Sequence, residues 1–177
     1  MNQAAALDLK QFVRDIPDFP QPGVMFRDIT PLLASPVAFG QCIRRLADHF
    51  RHHQVDVVVA AEARGFLFGA PLALELRAAF VPIRKQGKLP YRTLAHQYEL
   101  EYGSDTLEVH ADAILPGQRV LVVDDVLATG GTVAACYQLL GDTGAHVLGC
   151  AVAIELLYLH GAQRIADHEL FSLIQYA

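Results

Sequence analysis

The sequence has 177 residues, of which 53% are hydrophobic and 19% charged, and its formal net charge is −5. This composition excludes a disordered chain, and the length predicts one domain over residues 1–177 with a sizeable core. The negative charge argues against a nucleic-acid partner, and no apolar stretch reaches the roughly 18–20 residues needed to span a bilayer. The first residues lack a signal-peptide pattern and the three cysteines lack metal-site spacing, so we expect a cytoplasmic protein.

The first third of the chain predicts two helices separated by an irregular segment. Residues 7–14 have the apolar spacing of a short helix, and residues 36–53 have that of a longer one. Between them, three prolines and Gly23 interrupt regular structure over residues 17–23, because proline fixes φ and has no N–H to donate.

Strand and helix patterns alternate through the remainder. Short apolar runs predict strands, and longer amphipathic or apolar segments predict helices: strand 55–60, helix 65–76, strand 80–83, strand 119–123, helix 132–140 and strand 147–154. This alternation predicts an α/β fold with a central, mostly parallel sheet flanked by helices. Such sheets bind ligands at the carboxyl ends of their strands.

One stretch interrupts the alternation. Residues about 85–113 contain Gly87, Pro90 and Gly103 and many polar residues between short strand-like pieces. A long polar insertion in a compact domain is more often functional than a simple connection. We therefore predict a flexible flap, or hood, over a site.

The strongest chemical signal lies in residues 120–132. Four apolar residues are followed by the adjacent acids Asp124 and Asp125, and then by a loop of small residues that opens a helix: Ala128, Thr129, Gly130, Gly131 and Thr132. Glycines let backbone N–H groups converge, and a helix N-terminus adds partial positive charge. The loop therefore predicts a phosphate cradle.

The acid pair beside this cradle indicates a phosphorylated sugar as the ligand. Asp124 and Asp125 would accept hydrogen bonds from ribose hydroxyls, directly or through a metal. No Gly-Lys-Ser/Thr follows the loop and no Gly-x-Gly-x-x-Gly is present, which excludes a Walker A loop and a dinucleotide fingerprint.

The string 120–132 resembles the 5-phosphoribosyl 1-pyrophosphate (PRPP) signature of the type I phosphoribosyltransferase family. Four further segments resemble those of the adenine phosphoribosyltransferases. They are the base-binding segment (residues 19–31), the pyrophosphate loop (62–69), the hood (84–90 and 98–103) and the C-terminal strand (171–176). It implies the type I phosphoribosyltransferase fold. The implied reaction, a step of purine salvage, converts adenine and PRPP to AMP and pyrophosphate.

The resemblance assigns the pyrophosphate to basic residues. It implies that Arg64, whose guanidinium offers a fork of donors, binds pyrophosphate as a catalytic residue. Lys88 would reach from the flap over the leaving pyrophosphate, with Arg84 and Lys85 near enough in sequence to help.

The resemblance assigns the purine to the N-terminal segment. Phe26 would stack on one face of the base and Val126 would pack against the other. Backbone groups of Met25 and Arg27 would read the adenine edge. The side chain of Met25 departs from the valine typical of this position, which matters little if the backbone is the reader.

Further expectations concern the flap and the pyrophosphate loop. The resemblance implies that Glu101 assists proton movement on the purine, with Tyr102 beside it in the site. Glu99 lies two residues away on the same predicted strand face, so the sequence spacing does not decide which of the two glutamates has this role. The resemblance also implies a cis peptide bond between non-proline residues within residues 61–64.

Cofactor and partners follow from the same resemblance. It implies Mg²⁺ bound mainly through PRPP and pyrophosphate, with no protein ligand assigned, adenine and PRPP as small-molecule substrates, and a homodimer. Neither nucleic acid nor a membrane is expected as a partner. Two alternatives stay open: transfer to hypoxanthine, guanine or xanthine, and a PRPP-sensing regulator without enzymatic activity.

Overall fold

The computed structural model describes residues 7–99 and 104–177. Within these ranges the chain forms nine strands and four α-helices. The strands are β1 (Arg14–Ile16), β2 (Phe26–Asp28), β3 (Val57–Ala61), β4 (Ala79–Lys85), β5 (Thr93–Glu99), β6 (Ser104–His110), β7 (Arg119–Leu127), β8 (His146–Leu156) and β9 (Glu169–Tyr176). The helices are α1 (Thr30–Ala34), α2 (Pro36–Phe50), α3 (Gly65–Leu76) and α4 (Gly131–Gly141).

A seven-stranded sheet organises the described part of the chain. Its strand order is β5–β6–β4–β3–β7–β8–β9, and the five strands β4, β3, β7, β8 and β9 run parallel to one another. β5 and β6 form an antiparallel hairpin that joins the sheet through β4. The predicted α/β fold with a mostly parallel sheet is confirmed.

Helices cover both faces of this sheet. Because successive strand residues point to opposite faces, Val58 and Ala60 of β3 pack into one apolar cluster, while Val57 and Val59 pack into the other. α2 and α3 complete the first cluster and α4 completes the second. A parallel sheet buried on both sides explains the nearly continuous apolar runs of the sequence.

α3 approaches the sheet closely because it carries glycine where it crosses β3. A Cβ atom at Gly69 would lie 2.8 Å from the Cβ of Ala60 and 2.9 Å from the Phe80 ring. A side chain here would push α3 away from β3. It would also displace the segment before α3, which belongs to the site described below.

Two predicted boundaries were wrong. Over residues 7–14 the structure has only a 3₁₀ turn, Leu9–Phe12, because the chain becomes extended at Val13 and enters β1, which pairs with β2. β7 does not end at Val123 but continues through both aspartates, because its pairing with β8 extends to Leu127 and Glu155.

The predicted flap is more regular than its composition suggests. Its strand-like pieces are β5 and β6, which pair in register from Thr93 with His110 to Glu99 with Ser104. The hairpin is an extension of the sheet rather than a loose loop, since β6 also pairs with β4 at Arg84 and Lys85.

None of the helices in the described ranges is both long enough and apolar enough to cross a membrane.

Candidate active site

A cavity of about 920 Å³ opens where β3 and β7 end, and most of the predicted site residues line it. Its wall includes ten of them: Met25, Phe26, Arg27, Arg64, Asp124, Asp125, Val126, Ala128, Thr129 and Thr132. These residues come from three separate stretches of the chain. The parallel sheet places the ends of β3 and β7 side by side, as expected for a ligand site at the carboxyl ends of its strands, and the segment around β2 supplies the remaining residues.

The acid pair lies at the centre of the cavity wall. Asp125 is buried, and its Oδ2 accepts a hydrogen bond from Arg64 Nε at 2.5 Å. The backbone N–H of Asp125 donates to Asp124 Oδ1 at 2.8 Å. Burial, and then the neighbouring charge of Asp125, raise the pKa of Asp124 well above its usual value.

Glycine at the start of α3 lets Arg64 reach this pair. A Cβ atom at Gly65 would lie 3.0 Å from Asp124 Oδ1 and 3.2 Å from the carbonyl oxygen of Val123. The tight approach of α3 to β7 places Arg64, the N-cap residue of α3, beside the carboxylates. Its side chain remains 55% exposed, so it faces the space that a ligand would enter.

The loop predicted to be a phosphate cradle leads directly into α4. Gly130 adopts a φ of +79°, which L side chains rarely adopt, and α4 begins at the next residue, Gly131. A second, smaller cavity of about 70 Å³ is lined by the whole loop, including Gly130 and Gly131, which are absent from the wall of the larger one. One confined space therefore adjoins both the loop and the N-terminus of α4, where anions are commonly bound.

The predicted base-binding residues all line the large cavity. The Phe26 ring has Arg64 Cζ 5.9 Å from its centroid and Phe19 in edge contact at 5.1 Å. Met25 is exposed in the wall, and Val126 belongs to β7. Phe26 and Val126 both offer apolar groups to a ligand in this cavity.

The predicted flap cations are joined to a residue that sequence reasoning did not single out. Glu62 Oε1 accepts from Lys88 Nζ at 2.6 Å and Oε2 accepts from Arg84 Nε at 2.8 Å. Burial alone would raise the pKa of Glu62, but hydrogen bonds to Lys88 and Arg84 outweigh it and hold the pKa below its usual value.

The other flap predictions have mixed outcomes. Lys85 Nζ pairs with Asp105 Oδ2 at 2.8 Å. None of Arg84, Lys85 and Lys88 lines the cavity, but Arg84 and Lys88 contact Glu62, which does. Glu101 and Tyr102 lie outside the described residues, as does the side chain of Glu99.

The pyrophosphate loop contains the expected unusual bond. The peptide bond between Glu62 and Ala63 is cis, as expected within residues 61–64.

Sequence reasoning missed one wall of the cavity. Leu156, Tyr158 and Leu159, from the end of β8 and the 3₁₀ turn Leu157–Leu159 after it, also line the cavity. No motif marks them, because apolar residues after a buried strand resemble ordinary core. Glu62 did carry a signal: it stands two residues before Arg64 in the string that resembles a pyrophosphate loop.

Comparisons with known proteins agree with the fold and the sequence. A family model described as a phosphoribosyl transferase domain matches residues 29–175. Adenine phosphoribosyltransferase of Rhodopirellula baltica is 55% identical over 170 residues, which cover 96% of this chain and 82% of that protein. The crystal structure of adenine phosphoribosyltransferase from Thermoanaerobacter pseudethanolicus has a TM-score of 0.92 at 49% identity, covering 95% of this chain and 98% of that one.

A third relative was solved with ligands. Adenine phosphoribosyltransferase from Saccharomyces cerevisiae, complexed with D-2,5-dideoxy-2,5-imino-altritol 1,6-bisphosphate and adenine, has a TM-score of 0.89 at 38% identity, covering 93% of this chain and 95% of that one. Sequence and fold thus agree along nearly the whole length, and the chain belongs to the adenine phosphoribosyltransferases, within the phosphoribosyltransferase family.

Proposed function

We propose that this protein transfers the 5-phosphoribosyl group of PRPP to adenine, giving AMP and pyrophosphate in a step of purine salvage. The observation that carries the proposal is the shared cavity of about 920 Å³, which joins an acid pair, a small-residue loop at a helix N-terminus, an exposed arginine and an aromatic ring. These groups match, in order, a ribose, a phosphate, a pyrophosphate and a purine.

The sugar phosphate would be held first. Backbone N–H groups of residues 128–132 bind the 5-phosphate, and Asp124 and Asp125 accept hydrogen bonds from the ribose hydroxyls. Arg64 already contacts Asp125, so a pyrophosphate bound by Arg64 lies beside the ribose. Holding both ends of PRPP fixes C1 relative to the base pocket, which removes much of the entropic cost of the reaction.

The chemical step is a displacement at C1 of the ribose. The bond from C1 to the pyrophosphate oxygen breaks early and its electron pair leaves with pyrophosphate, where Arg64, Arg84 and Lys88 neutralise the developing charge. The N9 lone pair of adenine then forms the new bond from the opposite face, with inversion. N9 loses its proton, and Glu101 is the proposed acceptor, since a carboxylate closed into a dry site gains basicity.

Base recognition is proposed to combine stacking with backbone hydrogen bonds. Phe26 and Val126 contact the two faces of adenine, while backbone groups of Met25 and Arg27 offer an acceptor to the 6-amino group and a donor to N1. Tyr102 completes the site when the flap closes, which would exclude water from an activated sugar.

Mg²⁺ is the proposed cofactor. The described residues contain no cluster of three or more His, Cys, Asp or Glu side chains that could hold a metal ion. Asp124 and Asp125 are hard oxygen donors beside the ribose position, which fits an ion bound mainly through PRPP and water. When bound, it supplies charge neutralisation for the leaving pyrophosphate. We expect a chelator to abolish turnover and added Mg²⁺ to restore it.

The assembly is proposed to be a homodimer that uses α3. This helix is apolar on nearly all sides, and Leu67 and Leu74, seven residues apart on one face, are 45% and 81% exposed. Helices of this kind are normally covered. We expect Leu74→Glu to produce a monomer in analytical ultracentrifugation, whereas Leu115→Glu, a change at another exposed leucine, leaves the dimer intact.

The remaining expectations concern organisation and location. We propose one domain over the whole chain, because both apolar clusters share a single sheet. A cytoplasmic location is supported by the three cysteines, which are buried and free, a state typical of reducing compartments: Cys42, Cys136 and Cys150.

The test is an ultraviolet assay of purine consumption with PRPP and Mg²⁺. Adenine, hypoxanthine, guanine and xanthine are supplied separately, and omission of PRPP is the control. We expect turnover of adenine alone. Efficient use of another purine would replace the base assignment, and PRPP binding by thermal shift without turnover of any base would support a regulator instead.

A further inference from the structure

The side chain of Arg27 has two attachments behind the proposed base pocket. It is only 13% exposed, and its Nη1 pairs with the carboxylate of Asp15. Its guanidinium carbon lies 3.8 Å from the centroid of the Tyr176 ring. Arg27 Nε is buried without a hydrogen-bond partner among the described residues. The ring of Tyr176 therefore contacts a cation that is largely withdrawn from water, a setting in which cation–π contacts are strongest.

This contact links two separate sheets. β2, which contains Phe26 and Arg27, is three residues long and pairs with β1 in a two-stranded sheet of its own. A two-stranded sheet is marginally stable by itself, so its position depends on contacts with the remainder of the protein. Tyr176 belongs to β9, the last strand of the central sheet, and it reaches across to β2.

The geometry of β2 connects this contact to the base pocket. Neighbouring side chains of a strand point to opposite faces. Phe26 faces Arg64 in the cavity wall, and Arg27 extends its guanidinium to Tyr176. A shift of Arg27 would therefore move the Phe26 ring and the backbone on either side of it together.

The end of β9 is itself firmly held. Tyr176 is buried, and the side chain of its neighbour Gln175 donates to Glu155 Oε2 at 2.9 Å. The same buried carboxylate accepts from Ser172 Oγ at 2.7 Å. Tyr176 thus presents its ring from a fixed strand.

We infer that Tyr176 is a positioning residue for the purine: its ring holds the Arg27 side chain and so sets the position of the backbone that reads adenine. This inference rests on the proposed function. It gives the C-terminal strand a role in base binding although Tyr176 does not line the cavity.

The test compares Tyr176→Leu with Tyr176→Phe. Loss of the ring should raise the KM for adenine about tenfold, while kcat and the KM for PRPP stay within about twofold, because the phosphate loop and acid pair lie on other strands. Tyr176→Phe keeps the ring and should restore a KM for adenine within about twofold of wild type. A purely structural role would instead lower Tm and change both KM values together.

Lys10→Ala is the matched control, because Lys10 also contacts the Tyr176 ring but lines no part of the cavity. It should leave the KM for adenine unchanged. If Tyr176→Leu does not fold, Asp15→Asn removes the other partner of Arg27 and should raise the KM for adenine severalfold.

The inference is overturned if Tyr176→Leu, or Asp15→Asn where Tyr176→Leu does not fold, binds adenine as tightly as wild type, or if the KM for PRPP rises as much as that for adenine. A wild-type protein that consumes no adenine would instead remove the proposed function, so the two failures are distinguishable.

Discussion

Lys88 Nζ donates to Glu62 Oε1 at 2.6 Å, and this contact joins the start of the flap to the segment between β3 and α3. The Glu62 side chain is only 5% exposed and also accepts from Arg84. One buried carboxylate thus holds two of the cations proposed to bind pyrophosphate. Glu62 lies two residues before Arg64. Its two hydrogen bonds therefore bring Arg84 and Lys88 to the part of the site that contains Arg64.

The first prediction is that Lys88→Met lowers kcat/KM for PRPP about a hundredfold, the typical cost of removing one charged donor from a developing anion. The KM for adenine should stay within about twofold, because the hydrogen bonds of Lys88 go to Glu62 and Arg84 rather than to the residues proposed to bind the base. Steady-state kinetics with each substrate varied in turn measures both. Lys85→Met is the matched control, since Lys85 pairs with Asp105 away from the cavity. Equal losses in the two variants would contradict the assignment of Lys88.

The second prediction concerns the stability cost of Asp124. Its pKa is raised in the folded protein by burial and by the charge of Asp125. A carboxyl with a raised folded pKa contributes stability that is present below the unfolded pKa of about 3.9 and is lost as pH rises through the folded pKa. We therefore expect Asp124→Asn to raise Tm at pH 7, a gain that disappears toward pH 4.

The same substitution should lower kcat/KM for PRPP, because an amide is a weaker acceptor for ribose hydroxyls. Asp125→Asn is the control: it breaks the ion pair with Arg64 and should not raise Tm at any pH. Calorimetry from pH 4 to pH 8 follows both variants. A lower Tm for Asp124→Asn at pH 7 would show that the carboxylate stabilises the fold.

The parts of the site that the sequence predicts are those that depend on neighbouring residues in the chain. Helix 65–76 has the predicted bounds because its apolar pattern is local. The acid pair and the loop that follows it lie on one continuous segment, so their proximity follows from the sequence alone. The cis peptide bond was expected from a resemblance rather than from any propensity of Glu62 or Ala63.

The parts that the sequence does not predict depend on partners far along the chain. β7 passes through Asp124 and Asp125 because β8 offers hydrogen bonds that far, which no property of residues 119–127 reveals. The pairing of Glu62 with Lys88 spans 26 positions. The position of Tyr158 in the cavity wall likewise depends on where β8 ends, because Tyr158 lies in the turn that follows this strand.

The third prediction tests support for the phosphate loop from outside it. A Cβ atom at Gly161 would overlap the carbonyl oxygen of Ala128 and lie 2.9 Å from the Gly130 nitrogen, both of which are backbone atoms that cannot rotate away. Gly161→Ala should therefore displace the loop and raise the KM for PRPP about tenfold or more, with a smaller effect on adenine.

Gly141→Ala is the matched control for that substitution. Gly141 ends α4 with nothing within 4 Å of a Cβ atom, so alanine should be neutral or stabilise the protein by about 0.4–1 kcal/mol. Isothermal titration with PRPP measures loop function independently of turnover. Unchanged PRPP affinity in Gly161→Ala would show that the loop does not depend on this contact.

The last prediction concerns the choice of base. Adenine has an amino donor at C6 and an acceptor at N1, whereas hypoxanthine has an acceptor at C6 and a donor at N1. Backbone groups of Met25 and Arg27 that suit adenine would face like groups in hypoxanthine, and each buried mismatch costs roughly 1–3 kcal/mol. Two mismatches predict a preference for adenine on the order of a hundredfold or more in kcat/KM.

Two substitutions separate stacking from edge reading. Phe26→Ala should weaken all purines together, because the face of the ring does not distinguish donors from acceptors. Met25→Val should keep the preference for adenine, because the backbone rather than the exposed Met25 side chain is the proposed reader. Competition assays with adenine and hypoxanthine at equal concentration measure the ratio directly. A Met25→Val protein with a switched base would refute backbone reading, whereas equal turnover of both bases by the wild type would refute the adenine assignment itself.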